Sequence, residues 1–344
     1  MNRAALVARS LFFGAVGGGV AAWLELPLAW MMGSLIFCMM LSLGGVEISL
    51  PKSLKKSVRM MVGLILGAAV TPTALSRIHE WPLSLMLLVL GIVLMVLCST
   101  LYYQKIAKFD RLTAFSASIP GAISSIPVLA IAIGADPKKM VLPHLFRITL
   151  IILIIPPLYS VWQGASTDGL AMAGQESIDW LGNYLWLVLL APLAWYLGKL
   201  MRFPIPELTA TMMLSAGLSL NGFTIVLPDW LFALTFVVIG SSIGGRFYKM
   251  PLSLLIGTGR HALTGNMITL LTTAVIAWVI HLLTGVPLPV ALLAVVPGGI
   301  AEMAILAAVL GVDPVFVTFH QVMRSLLISA TAPFLLAQVK KRMP

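Results

Sequence analysis

The chain states one pattern twice. Leu41 to Pro51 reads LSLGGVEISLP, and Leu218 to Pro228, 177 residues later, reads LSLNGFTIVLP. The same offset carries PGAISS at Pro120 to Ser125 onto PGGIAE at Pro297 to Glu302, and GADP at Gly134 to Pro137 onto GVDP at Gly311 to Pro314. Arg147 then lands on Arg324, and Pro156 on Pro333. A period of this length is a folded module duplicated within one chain, not a short solenoid repeat. Membrane transporters build substrate sites between two such halves. The predicted division is a first membrane repeat over 1–162, a periplasmic linker over 163–179 and a second membrane repeat over 180–344.

Composition decides the solvent. Apolar residues make up 60% of the chain and charged residues 10%, against roughly 25% charged in a soluble domain. Apolar stretches close to the roughly 20 residues that span hydrocarbon recur along the whole length. They lie at about 5–24, 27–46, 58–76, 82–103, 112–134, 140–162, 180–198, 204–223, 229–245, 251–283, 286–311 and 315–338. The net charge of +10 sits in the connections, where membrane orientation explains it and no nucleic-acid partner is called for. Cys38 and Cys98 fall inside apolar segments, which implies neither a disulfide framework nor a metal site. The first segment runs into the second without a small-residue cleavage site, which predicts a retained helix and not a signal peptide.

The cations also orient the halves. With the N-terminus cytoplasmic, and with the fifth and eleventh segments entering and leaving on one side, Lys52, Lys55, Lys56, Arg59, Lys138, Lys139, Lys199, Arg202, Arg246 and Lys249 all fall inside. Twelve full crossings would put the last six of these outside with Arg77, against the positive-inside rule. The preferred arrangement is all-α and integral to the membrane. It has two inverted repeats, each of five transmembrane helices plus one re-entrant hairpin, and both termini are cytoplasmic. The hairpin tips are Pro120–Gly121 and Pro297–Gly298, since proline lacks the backbone donor and glycine permits a tight reversal. The alternative is a pair of kinked spanning helices.

Polar residues inside apolar segments gather at matching places. The first repeat offers Thr113, Ser116, Ser118, Ser124, Ser125, His144 and Arg147, and the second Glu302, His320, Gln321, Arg324 and Ser325. An ionisable group in a membrane segment is costly and usually faces a cavity or a partner. Arg147 and Arg324 are the sharpest signal, because the costly residue occurs in both copies. They either snorkel to the interface or bind an anion or brace a tip, with His144 and Gln321 one turn before them. Glu302 either carries a coupling cation or pairs with Arg324. The serines either line a path or bond backbone within their helices. GAAVT at Gly67 to Thr71 is expected to face GSSIG at Gly240 to Gly244 at an offset of 173, as close-packed or unwound helices. No GxxxxGK(S/T) loop is present, which argues against ATP-driven transport by this chain alone. The five histidines do not supply an oxygenase metal site, and no hydrolytic triad stands out.

So arranged, the chain resembles the AbrB duplicated-domain membrane family of bacteria, some members of which carry an ammonia monooxygenase label. The resemblance covers essentially the full length. It rests on two proline–glycine tips, each followed by an acidic-proline turn and a Gln-x-x-Arg helix. PGGIAEM at Pro297 to Met303, with Gln321 and Arg324, keeps the pattern. The first copy departs from it at Ala122 and at His144, which stands where glutamine is usual, and Ile119 or Val296 replaces the serine that often precedes the tip. The inferred topology also looks like that of bacterial glutamate–sodium and citrate–sodium symporters, an analogy of architecture and not of substrate.

The resulting expectation is an elevator-type secondary transporter of a small anionic organic solute in the bacterial inner membrane. It would be homodimeric, non-enzymatic and without a cofactor. Substrate is expected between Pro120, Gly121, Ser124 and Ser125 of one tip and Pro297, Gly298 and Gly299 of the other, beside His144, Arg147, Gln321 and Arg324. Glu302 would couple transport to a proton or a sodium ion. The alternative is a membrane-embedded regulator or receptor that acts on gene expression through a partner without transport.

Overall fold

The computed structural model describes residues 3–70, 72, 78–120, 126–163, 180–203, 205–222 and 228–341, which are helical with no strand. Tip residues Gly121, Ser124 and Ser125 lie outside the described residues, as does the expected linker apart from Gln163. The helices are α1 (Arg3–Trp23), α2 (Ala29–Leu43), α3 (Lys52–Ala68), α4 (Trp81–Lys105), α5 (Arg111–Ser118), α6 (Ile126–Ala132) and α7 (Pro137–Gln163). After these come α8 (Trp180–Leu200), α9 (Pro206–Leu220), α10 (Asp229–Gly244), α11 (Leu252–Thr284), α12 (Leu288–Val295), α13 (Ile300–Val309) and α14 (Pro314–Lys341).

Among the described residues, six helices are long and apolar enough to cross a membrane. Met86, Val93, Leu271, Trp278 and Leu282 are exposed along α4 and α11, whereas Ser84, Ser99, Thr269 and Thr273 are buried. That is the distribution expected where the surrounding solvent is lipid and polar groups must find partners inside. This is a membrane protein.

The duplication is written into the backbone. Positive φ angles occur in pairs at the 177-residue offset: Glu25 with Arg202, Leu28 with Ile205, Gly45 with Gly222, Lys108 with Gly285 and Gly134 with Gly311. The GADP and GVDP turns show why. Gly134 and Gly311 leave the preceding helix at positive φ, where a side chain would be strained. Asp136 Oδ1 and Asp313 Oδ1 then accept the backbone N–H of Lys138 and Val315, each at 2.9 Å. These are N-caps of α7 and α14, and proline opens each helix where no donor is missed.

The chain divides into two compact units. One comprises Met1–Arg77, Ile152–Lys249 and Ala304–Val315, the other Ile78–Ile151, Met250–Met303 and Phe316–Pro344. Each draws on both sequence repeats. In the first, α3 packs on α9 and α2 on α10, contacts that exchange under the offset. A Cβ on Gly63 would strike Thr211 Oγ1 and the Leu208 carbonyl, and one on Gly240 would strike Ser34 Oγ and the Met31 carbonyl. Gly67 meets Met212 and Ser215 as Gly244 meets Leu35 and Cys38. Gly67 therefore matches Gly244, and the expected shift to an offset of 173 is corrected. α10 runs unbroken to Gly244, so its small residues serve close backbone approach and not unwinding.

In the second unit α4 packs on α11, α5 on α4 and α12 on α11, again in exchange-related pairs. Of the two long apolar stretches, the second is split at Pro297–Gly298, and in the first one helix ends at Ser118 and the next begins at Ile126. Helices α5, α6, α12 and α13 have 8, 7, 8 and 10 residues. Each therefore rises about 10–15 Å, no more than half of the roughly 30 Å of hydrocarbon.

Candidate functional site

A broken helix leaves carbonyls without partners, and the second tip answers each by name. Pro297 has no N–H to give the Leu293 carbonyl four residues back. Gln321 Nε2 donates to that carbonyl at 2.6 Å and to Val296 O at 2.9 Å. Arg324 donates from Nη1 to Val296 O at 2.6 Å and from Nη2 to Gly298 O at 2.7 Å. Side chains one turn apart on α14 thus replace the bond that the proline removed and hold two further tip carbonyls.

The first tip repeats part of the device among the described residues. Arg147 Nη2 reaches the Ile119 carbonyl at 3.4 Å, the counterpart of Val296. His144 stands at the Gln321 position, with its ring towards the Ser116 carbonyl, the counterpart of Leu293. Arg147 Nη2 lies 2.6 Å from His144 Nδ1. Guanidinium only donates, so Nδ1 accepts and the ring proton belongs on Nε2. That nitrogen completes no hydrogen bond of its own.

Both guanidiniums are 4% exposed and turned onto tip backbone, not outward, so neither snorkels. They lie in one unit, near enough for Arg147's charge to act at Arg324. Among the described residues, neither forms an ion pair with a carboxylate. The Nε of each is buried and unpaired, as is Gln321 Oε1. Isolated buried charge is expensive, and each of these two cations keeps one unspent donor.

Glu302 belongs to the first turn of α13. Its carboxylate lies against Gly299, where an added Cβ would collide with it. It makes no ion pair with Arg324; the tip carbonyls take that place. Pro120 and Pro297 are buried beside their tips, and Gly298 and Gly299 are half-buried. Ser116 and Ser118 donate to the Leu112 and Ala114 carbonyls within α5, at 2.6 and 2.8 Å, the backbone-bonding alternative. No group of three metal-ligating side chains occurs among the described residues.

One partner was not foreseen: Ser84 Oγ lies 2.8 Å from His320 Nε2, and no serine stands at its repeat counterpart to have flagged it. At the cationic end of the first unit, Arg59 pairs with Glu207 at 2.6 Å. There burial, with Arg246 and Arg59 adding repulsion, holds the Lys55 ammonium below the usual lysine range.

Two relatives align with most of the chain. The chain is 28% identical to the Bacillus subtilis "Uncharacterized protein YhjN" over 93% of this chain and 89% of that one. It is 25% identical to the Escherichia coli "Putative regulator AbrB" over 90% and 89%. Residues 30–340, which take in both tips and both arginines, match the family described as "Transition state regulatory protein AbrB", and the chain belongs to that AbrB family.

Proposed function

We propose that this protein is a secondary transporter of a small organic anion in the bacterial inner membrane. In this reading the two repeats are inverted, the broken helices are re-entrant hairpins, both termini are cytoplasmic and the protein works by an elevator-type motion as a homodimer. No catalysis or cofactor is involved. The observation that carries the reading is the pair of buried guanidiniums, each fixed at a proline–glycine tip with its Nε unspent and no described carboxylate paired to it. A carboxylate or similar group supplies the missing charge, and the planar guanidinium recognises it through paired N–H donors. Broken helices at membrane depth add backbone donors to the same place. A proton or a sodium ion gradient would give the cycle its direction.

Purified protein in liposomes, assayed for uptake of radiolabelled lactate and succinate, tests this. Arg147→Lys and Arg324→Lys keep the charge but lose the fork, so flux is expected to fall in both while the protein still folds. Normal flux in both variants would remove the arginines from the site. A second reading, a membrane-embedded regulator acting through a partner, is favoured by the name of the Escherichia coli relative. Anion binding without any flux would favour that reading.

A further inference from the structure

His320 is fully buried on α14, one residue before Gln321. Its Nδ1 lies 2.8 Å from the Phe316 carbonyl and its Nε2 lies 2.8 Å from Ser84 Oγ. Ser84 Oγ lies 2.8 Å from the Trp81 carbonyl. These three contacts contain a proton count. A carbonyl only accepts, so Nδ1 carries a hydrogen. In a neutral imidazole Nε2 is then bare, and the single hydroxyl hydrogen of Ser84 faces two acceptors, Nε2 and the Trp81 oxygen. One short contact is left with lone pairs on both sides.

One added proton resolves it. As an imidazolium, His320 donates from Nδ1 to Phe316 and from Nε2 to Ser84, and Ser84 donates to Trp81. The proton adds to the Nε2 lone pair, the hydroxyl turns towards the carbonyl, and no covalent bond breaks. The surroundings include Phe316, stacked on the imidazole at 4.0 Å between centroids, with Trp81 and Phe319 at 6.1 and 6.0 Å. Aromatic faces favour a cation. Charged groups nearby are few. On α14, Arg324 follows one turn later with its guanidinium on the second tip. Ahead of α4, His79 and Glu80 are exposed at its start, and neither is a hydrogen-bond partner of the ring. The apolar setting and Arg324 oppose the charge, while the hydrogen bonds and aromatic rings favour it. Burial opposes the protonated ring, so it would take up a proton when its surroundings hydrate and release it when they dry.

We propose that His320, held between Ser84 and the Phe316 carbonyl, binds the proton that drives transport, in place of Glu302. This rests on the transporter reading above. The proton tightens the link between α4 and α14, and α14 carries Gln321 and Arg324, which hold the second tip.

The full chain, labelled with ¹⁵N-histidine in lipid nanodiscs, reports the ring directly, and His320→Gln identifies its signals. Over roughly pH 4 to 9 the ring should pass from two protonated nitrogens to the Nδ1–H neutral form. Ser84→Ala should shift that transition. A ring that stays in one neutral form throughout overturns the proposal. In proteoliposomes, an inward proton gradient should speed lactate or succinate uptake on the order of tenfold, and His320→Gln should lose that response. Uptake indifferent to the gradient in the parent protein also overturns it. Absence of any uptake in the parent counts against the transporter reading, and the ring titration then decides the proton site alone.

Discussion

The two tips are built to one plan and finished differently. At the second, Gln321 and Arg324 give four good hydrogen bonds to Leu293, Val296 and Gly298, all between 2.6 and 2.9 Å. At the first, among the described residues, Arg147 makes one long bond to Ile119, and His144 spends its Nδ1 on Arg147 and leaves Nε2 unpaired. An amide both donates and accepts from a flat head, whereas a neutral imidazole has one donor in a fixed direction. Both tips keep an unspent arginine Nε, and the first adds the unpaired His144 Nε2. Duplication supplied two equivalent places, and they diverge at His144 and Gln321.

Changes that exchange or remove the braces should break this asymmetry in a fixed order. Arg324→Lys loses the fork that spans Val296 and Gly298 and should lower stability by about 3 kcal/mol. Arg147→Lys should cost well under half of that. Thermal unfolding in detergent, followed by tryptophan fluorescence, compares the pair, and equal losses would show the tips to be equally braced. Gln321→His makes the second tip resemble the first. It orphans the Leu293 carbonyl and should cost about 2 kcal/mol in the same assay.

The reverse exchange sharpens the comparison. His144→Gln can donate to the Ser116 carbonyl as Gln321 does to Leu293, and should raise stability by about 1 kcal/mol. No gain would mean that the first tip has no unmet carbonyl. The smallest effect is expected from Gly299→Ala. The added methyl meets only the flexible end of Glu302, so stability should change by less than about 0.5 kcal/mol. The carboxylate must move, however, and a cysteine at 302 should change its rate of thiol labelling when Gly299 is replaced. An unchanged rate would show that Gly299 does not set the position of that side chain.

Much of this was legible in the chain because duplication and burial leave periodic marks. The apolar runs, the proline–glycine breaks, the aspartate-proline caps and the pair of arginines follow from residue types alone, since each has a local cause. A missing N–H leaves a carbonyl four residues back without its helical partner, and a lone cation in an apolar run must find a partner somewhere. The sequence could not say which partner. Arg324 serves carbonyls up to 28 residues away and Ser84 meets His320 across 236. Backbone carbonyls are also identical in every residue and carry no sequence signature. The register of Gly67 with Gly244 was missed for a similar reason, because small residues crowd both helices and only the close approach to Met212 and Leu35 separates the true match from its neighbour. Periodicity and composition marked where the apolar stretches are interrupted and which two cations needed a partner or the interface. Tertiary packing decided which oxygen each guanidinium holds and which donors it leaves unspent, because hydrogen bonds depend on distance and direction in space.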